Sequence, residues 1–235
     1  MKVPVGADVP GRLVKRYKRF FADVETQSGE VLTVHCPNPG SMRGLLEIGA
    51  PVWCSTSDNP KRKLKHTLEM IQIGRVWVGL HTLRANQIAA LALREGGIRS
   101  LSDYPTLRAE VRVDEQSRLD FGLSDHPSDP RPAFVEVKSV TMAEGSEARF
   151  PDSVTERGRK HAETLGSLVA DGNRAVLLFV VQRGDCDRVA PASEIDPAYA
   201  DALYRAAEKG VEILALGTEV APEAIRITTE LPVRL

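Results

Sequence analysis

Residues 134–141 read FVEVKSVT. Phe134, Val135, Val137 and Val140 have the composition of a buried strand. Glu136 and Lys138 stand in its middle. Side chains alternate across a strand, so Glu136 and Lys138 point one way and Val135 and Val137 the other. The segment upstream, SRLDFGL (117–123), carries one carboxylate, Asp120, in apolar company. The link between the two, SDHPSDPR, consists of turn formers. If they form a hairpin, facing residue numbers sum to about 255, which sets Asp120 beside or diagonal to Glu136 on one face. Two carboxylates this close repel unless a cation lies between them. A hard divalent cation, Mg²⁺ or Mn²⁺, suits oxygen ligands, and the Val137 carbonyl is a further ligand candidate. Lys138 would then orient or deprotonate a water and stabilise charge developing on a phosphate. Glu110, in the strand LRAEVRV (107–113), is a further acidic candidate. The plain alternative is a cross-strand Glu–Lys ion pair on a half-exposed strand.

The surroundings of this stretch indicate the fold class. RAVLLFVVQ (174–182) and VEILAL (211–216) read as buried strands, with helices expected at about 153–171 and 197–209. Strands alternating with helices point to an α/β layer with a partly parallel, mixed sheet. A helix over 83–95, LRANQIAALALRE, ends at Gly96-Gly97 and marks a domain boundary, giving segments 1–82 and 83–235.

Residues 12–80 read as all-β. RLVKRYKRFFADVETQSGEVLTVHCPN suits two strands around a turn at Gln27-Ser28-Gly29, and APVWCSTS, KHTLEMIQI and RVWVGLHT suit three more. Five short strands predict a small OB-like barrel. Residues 1–80 hold 12 Lys and Arg against 7 Asp and Glu, and the remainder holds 19 against 25. A basic N-terminal part suits a polyanionic partner. VKRYKRF (14–20) supplies Arg16, Lys18 and Arg19, and SDNPKRKLKH (57–66) supplies Lys61, Arg62, Lys63 and Lys65. Cations interleaved with aromatics suit a groove that follows a phosphate backbone, and Arg43 in CPNPGSMRG is a further lining candidate. Ordinary surface charge is the alternative.

FPDSVTERGRKHAETL (150–165) predicts a helix capped by Asp152 or Ser153, with Arg157, Lys160 and His161 on one face, able to clamp a phosphate. His35, Cys36, Cys54, His66 and His81 lack zinc-site spacing. The segment 196–212 is too acidic for a groove-reading helix. No apolar run reaches the roughly 18 residues of a membrane span. The first residues contain no apolar signal-peptide core, and three scattered Cys suit a reducing, cytoplasmic setting.

Seven blocks, LVKRYKRFFADV, VHCPNPGSM, WCSTSDNPKRKLKHTLEM, SRLDF, FVEVKSVT, FPDSVTERGRKH and GVEIL, together resemble the sugar fermentation stimulation protein A family over nearly the whole chain. The resemblance implies an N-terminal OB-like barrel, a C-terminal domain of the PD-(D/E)xK nuclease type, DNA binding, and a regulatory role in maltose and other sugar utilisation. It matches that superfamily's Asp to Asp120, its E-x-K to Glu136 and Lys138, and an earlier acidic residue to Glu110. It also matches a family block to Asp152, Thr155, Arg157, Lys160 and His161. Leu119 stands where a Pro is usual, and Pro39 where a small polar residue is expected. The expectation is a Mg²⁺- or Mn²⁺-dependent nuclease that binds DNA largely without sequence preference, with no membrane partner. Non-catalytic DNA-binding regulation, and binding of RNA or a small phosphorylated ligand, are the alternatives. The oligomeric state is left open, a dimer being one option.

Overall fold

A computed structural model describes residues 1–114 and 117–235. Strand β1 (Lys2–Pro4) is followed by β2 (Ala7–Tyr17), β3 (Phe21–Thr26), β4 (Val31–His35), β5 (Pro51–Thr56), β6 (His66–Ile73) and β7 (Val76–Gly79). The last six form one sheet in the order β4-β3-β2-β5-β6-β7, and a parallel contact of His35 with Thr67 closes β4 onto β6. This is the expected OB-like barrel. Its inward residues, among them Leu13, Val24, Val34, Val52, Leu68 and Val78, form one apolar cluster.

The chain reverses once more than expected in this part. Lys18 (φ 48°) and Arg19 (φ 63°) turn β2 into β3, whereas the stretch from Arg12 to Gln27 reads as a single strand in the sequence. Left-handed backbone at two long basic residues carries no turn signal of the Gly or Asn kind. One strand of the range 1–82 lies outside the barrel: β1 pairs antiparallel with the last strand of the chain.

Helix α1 (Leu83–Arg94) follows, then β8 (Thr106–Arg112), β9 (Arg118–Ser124), β10 (Ala133–Val140), β11 (Met142–Glu144) and β12 (Glu147–Phe150). Helix α2 (Glu156–Ala170), β13 (Arg174–Val181), β14 (Arg188–Pro191), α3 (Pro197–Glu208), β15 (Glu212–Val220) and β16 (Ala224–Glu230) complete the chain. The large sheet runs β1-β16-β15-β13-β10-β9-β8, with β10, β13 and β15 parallel and the edges antiparallel. It is the mixed sheet expected of the C-terminal α/β domain. One face packs Val135, Val176 and Leu178 against Ile88 and Ala89 of α1 and Met70 of the barrel. The other packs Leu177 and Phe179 against Leu165 of α2 and Leu203 of α3. The apolar runs of β10 and β13 are explained by this double cover, which leaves central parallel strands dry on both sides. A small sheet, β11-β12-β14, flanks the end of β10.

The barrel is welded to this sheet. Trp53 and Trp77 pack on the cluster around α1, and the Gly79 N–H donates to the Gln182 carbonyl at 2.9 Å. Among the described residues no helix is long and apolar enough to cross a membrane.

Candidate active site

Strands β9 and β10 pair in the register Ala133–Leu123, Phe134–Gly122 and Val135–Phe121. The next position of this register sets Asp120 opposite Glu136, one residue from the sum the hairpin predicts. The ladder ends there. Instead of a backbone partner, the Val137 N–H finds Asp120 Oδ2 at 2.8 Å. Asp120 Oδ1 accepts from Asn86 Nδ2 of α1 at 2.7 Å. The opened ladder leaves room for a cavity of ≈ 390 Å³, lined by Asp120, Glu136, Val137, Lys138, Arg149 and Arg157, and on the barrel side by Asn38, Pro39 and Gly40.

Glu136 and Lys138 share a face as the alternation requires. Lys138 Nζ donates to Glu136 Oε1 at 2.7 Å, and their side chains are 11% and 5% exposed respectively. Glu136 Oε1 also accepts from His161 Nδ1, on α2. Arg157 Nε donates to His161 Nε2 at 3.4 Å, and Lys138 Nζ lies 3.3 Å from His161 Nδ1. His161 is 7% exposed and lies beneath Glu136, not on a face open to a nucleic acid. The expectation that it clamps a phosphate is corrected here: its neighbour Arg157 reaches the cavity, and His161 holds Glu136. Lys160 is exposed on the same helix and does not line the cavity.

The two carboxylates are shifted in opposite directions. Burial, then the charge of Glu136, push the Asp120 carboxyl above the usual range, although Val137, Asn86 and Lys138 pull it down. Burial would raise Glu136 as well, but the hydrogen bond from His161 and the charge of Lys138 outweigh it and hold Glu136 below its usual value.

Glu110 does not join this group. It sits between Ala109 and Val111, which pair with Phe121 and Leu119, but its φ of 54° turns the side chain outward. There it pairs with Arg118 at 3.0 Å with 74% of the side chain exposed. The acidic position expected from β8 is filled by an amide from α1, Asn86. Nothing in the sequence singles it out from Arg84, Gln87 and Arg94 on the same helix.

Helix α2 is capped by Thr155, whose Oγ1 accepts from the Gly158 N–H at 3.0 Å, and not by Asp152 or Ser153. Asp152 instead reaches the barrel. Its Oδ2 accepts from the Met42 N–H at 2.9 Å, and its backbone carbonyl accepts from Ser41 Oγ at 2.6 Å. A Cβ on Gly40 would sit 2.5 Å from that carboxylate, which is why this position is glycine. Arg16 holds the same loop from the other side, donating through Nη2 to the carbonyls of Asn38 (2.8 Å) and Gly40 (2.9 Å). It is a brace for the cavity wall, and not the free groove cation that the sequence suggests.

The remaining cations are spread over the barrel. Lys18 and Arg19 are exposed in the β2–β3 turn, and Arg43 is exposed beyond the clamped loop. Lys61, Lys63 and Lys65 are exposed between β5 and β6, where half-buried Arg62 donates to Thr67 Oγ1 at 2.8 Å.

With this geometry in place, comparisons with known proteins are informative. Residues 14–80 match the model of the SfsA N-terminal OB domain, and residues 83–224 match that of the sugar fermentation stimulation protein RE domain. A sugar fermentation stimulation protein homolog of Geotalea uraniireducens is 46% identical over 235 residues, covering 100% of both chains. One of Halorhodospira halophila is 52% identical over 225 residues, covering 94% of this chain and 93% of that one. The structure of Pyrococcus furiosus SfsA in complex with Ca²⁺ superimposes with a TM-score of 0.90 at 26% identity, covering 100% of each chain. The chain belongs to the sugar fermentation stimulation protein family.

Proposed function

We propose that the protein is a divalent-cation-dependent phosphodiester hydrolase that binds DNA, with its chemistry in the cavity between β10 and the barrel loop 37–44. The observation that carries this reading is the pair Asp120 and Glu136, two carboxylates in one buried setting beside Lys138. Burial, then the nearby charge of Glu136, raises the Asp120 carboxyl, as expected of a group held in a ligand cavity. The donor set fits a hard cation. The Val137 N–H points at Asp120, and in an extended strand its carbonyl points to the same side. Among the described residues no group of three or more His, Cys, Asp or Glu is arranged around a metal. Two carboxylates and one carbonyl, completed by water and substrate oxygens, are the partial cage that Mg²⁺ accepts. The Ca²⁺ complex of the similar Pyrococcus furiosus protein supports a divalent cation here.

A cation held by Asp120, Glu136 and the Val137 carbonyl supplies Lewis-acid stabilisation of phosphate charge. The chain's own groups do the rest. Lys138 orients the attacking water, His161 holds Glu136 in place and Arg157 faces the phosphate. The Lys138–Glu136 ion pair at 2.7 Å also suits a second reading, in which the cavity is neutralised by protein cations and the protein binds DNA without cutting it.

Purified protein incubated with single- and double-stranded DNA and RNA, in Mg²⁺, Mn²⁺ or EDTA, separates the two. The hydrolase reading expects metal-dependent cleavage that falls by about a hundredfold or more in Lys138→Ala and in Asp120→Ala. Binding without cleavage of any substrate assigns the protein to the second reading.

A further inference from the structure

The cavity does not end at Asn38. Pro39, Thr82 and Leu83 also line a second open hollow, which Phe20, His35, Arg62 and His81 continue. Phe20, His35 and Arg62 are shared in turn with a third hollow, closed by Phe21, Lys63 and Leu64. The three form one trough. It runs from the carboxylates of β9 and β10, across the first residue of α1, to the β2–β3 turn and the β5–β6 loop of the barrel.

The lining has a specific chemistry. Phe20 is 48% exposed and Leu83 66% exposed, large apolar groups left in solvent along the trough. Exposed Lys18, Arg19, Lys61 and Lys63 stand on the segments that form its far end. His35 and His81 lie in its wall, and burial holds both imidazoles below the ordinary His value, so near neutral pH they offer uncharged ring faces. His81 Nδ1 is buried with no hydrogen-bond partner. Apolar and aromatic faces beside cations match a chain of bases joined by phosphates, whose bases are unpaired. A duplex keeps its base faces inside the stack and presents nothing to Phe20.

We propose that this trough binds single-stranded nucleic acid, with a base stacked on Phe20 and the backbone led past Arg62 and Lys63 into the cavity of Asp120 and Lys138. The proposal rests on the reading of that cavity as a phosphodiester site and names its substrate class. The shared ligand chemistry is an unpaired polynucleotide, whether DNA or RNA.

The test is binding by fluorescence anisotropy in EDTA, where no cleavage intervenes. Full-length protein is titrated against labelled single-stranded DNA and RNA of about 15 nucleotides and against the matching DNA duplex. The expected result is tighter binding of a single strand than of the duplex, with the DNA and RNA arms deciding between the two sources. Phe20→Ala weakens single-strand binding by about tenfold, the effect of one lost stacking contact. Phe20→Trp retains it, and duplex binding is unchanged in both variants. Wild-type single-strand affinity in Phe20→Ala, equal affinity for the duplex, or no binding at low salt would each overturn the proposal. So would a concentration-dependent dimer abolished by Phe20→Ala, which makes the trough a contact between copies of this chain. A protein that binds through Phe20 and never cuts refutes the hydrolase alone. One that cuts single strands with indifference to Phe20 refutes the trough alone.

Discussion

Glu69 and Glu136 are both buried carboxylates on strands, each paired with a cation, and their surroundings are opposite. Glu69 on β6 meets Arg84 on α1, with Glu69 Oε1 accepting from Arg84 Nη2 at 3.1 Å and Ser55 Oγ at 2.8 Å, and Oε2 from Arg84 Nε at 3.2 Å. Arg84 also donates to the carbonyls of Pro4 and Val5. This pair joins the barrel, the first helix and the N-terminal strand. Glu136 and Lys138 are as deeply set, but they open onto a cavity and face a second carboxylate. In the first pair every charge is satisfied by fixed protein groups. In the second, the neighbouring Asp120 is met only by neutral donors, Asn86 and the Val137 N–H. A saturated pair is a joint, and a pair beside an unneutralised carboxylate in a cavity is a place for a ligand.

Urea unfolding is expected to separate the two pairs by the widest margin. Arg84→Ala leaves Glu69 charged and enclosed, and is expected to cost about 3–5 kcal/mol. Lys138→Ala is expected to cost about 1 kcal/mol, because His161 still holds Glu136 and the cavity admits water to it. Equal losses would show that the cavity gives Glu136 no solvation, and the distinction between joint and site would fail.

A smaller effect is expected at the contact that seats the barrel loop on the site. Asp152→Ala orphans the Met42 N–H and is expected to cost about 1–2 kcal/mol. Hydrogen exchange at residues 40–44 is the sensitive measurement. Unchanged protection there would mean that Arg16 alone seats the loop.

The smallest effect is on pH. Asp120 binds its proton more tightly than a free carboxyl, and a cation must displace that proton. Calcium affinity measured calorimetrically between about pH 8 and pH 5 should therefore weaken earlier on acidification than an ordinary aspartate allows. Glu136, held below its usual value, remains ionised and does not contribute over that range. Affinity that is flat over this window would remove Asp120 from the ligand set.

How much of this was legible in advance differs between the strand pair and everything packed on it. The β9–β10 hairpin could be counted out from the turn, because alternation and register are local properties of a short loop. Glu110, an acidic candidate on the strand before, is not placed by alternation, because its left-handed backbone turns the side chain outward. Strand β1 was invisible for a different reason: three residues carry no periodicity, and their partner β16 lies at the other end of the chain. Lys18 and Arg19 looked like strand because basic residues tolerate strands and give no warning of a turn.

Residue order suffices for the barrel with its α/β sheet, and for the meeting of Asp120, Glu136 and Lys138. Both follow from hydrophobic period and from pairing across one turn, which the order of residues encodes directly. Folding in three dimensions is what lets Asn86 steady Asp120, His161 support Glu136 from below, Asp152 and Arg16 brace the barrel loop, and Phe20 share a trough with the carboxylates. Those contacts join residues far apart in the chain, 34 positions for Asn86 with Asp120 and 110 for Met42 with Asp152. Which polar group is near enough to satisfy another is a question of packing, and residue order alone does not contain the answer.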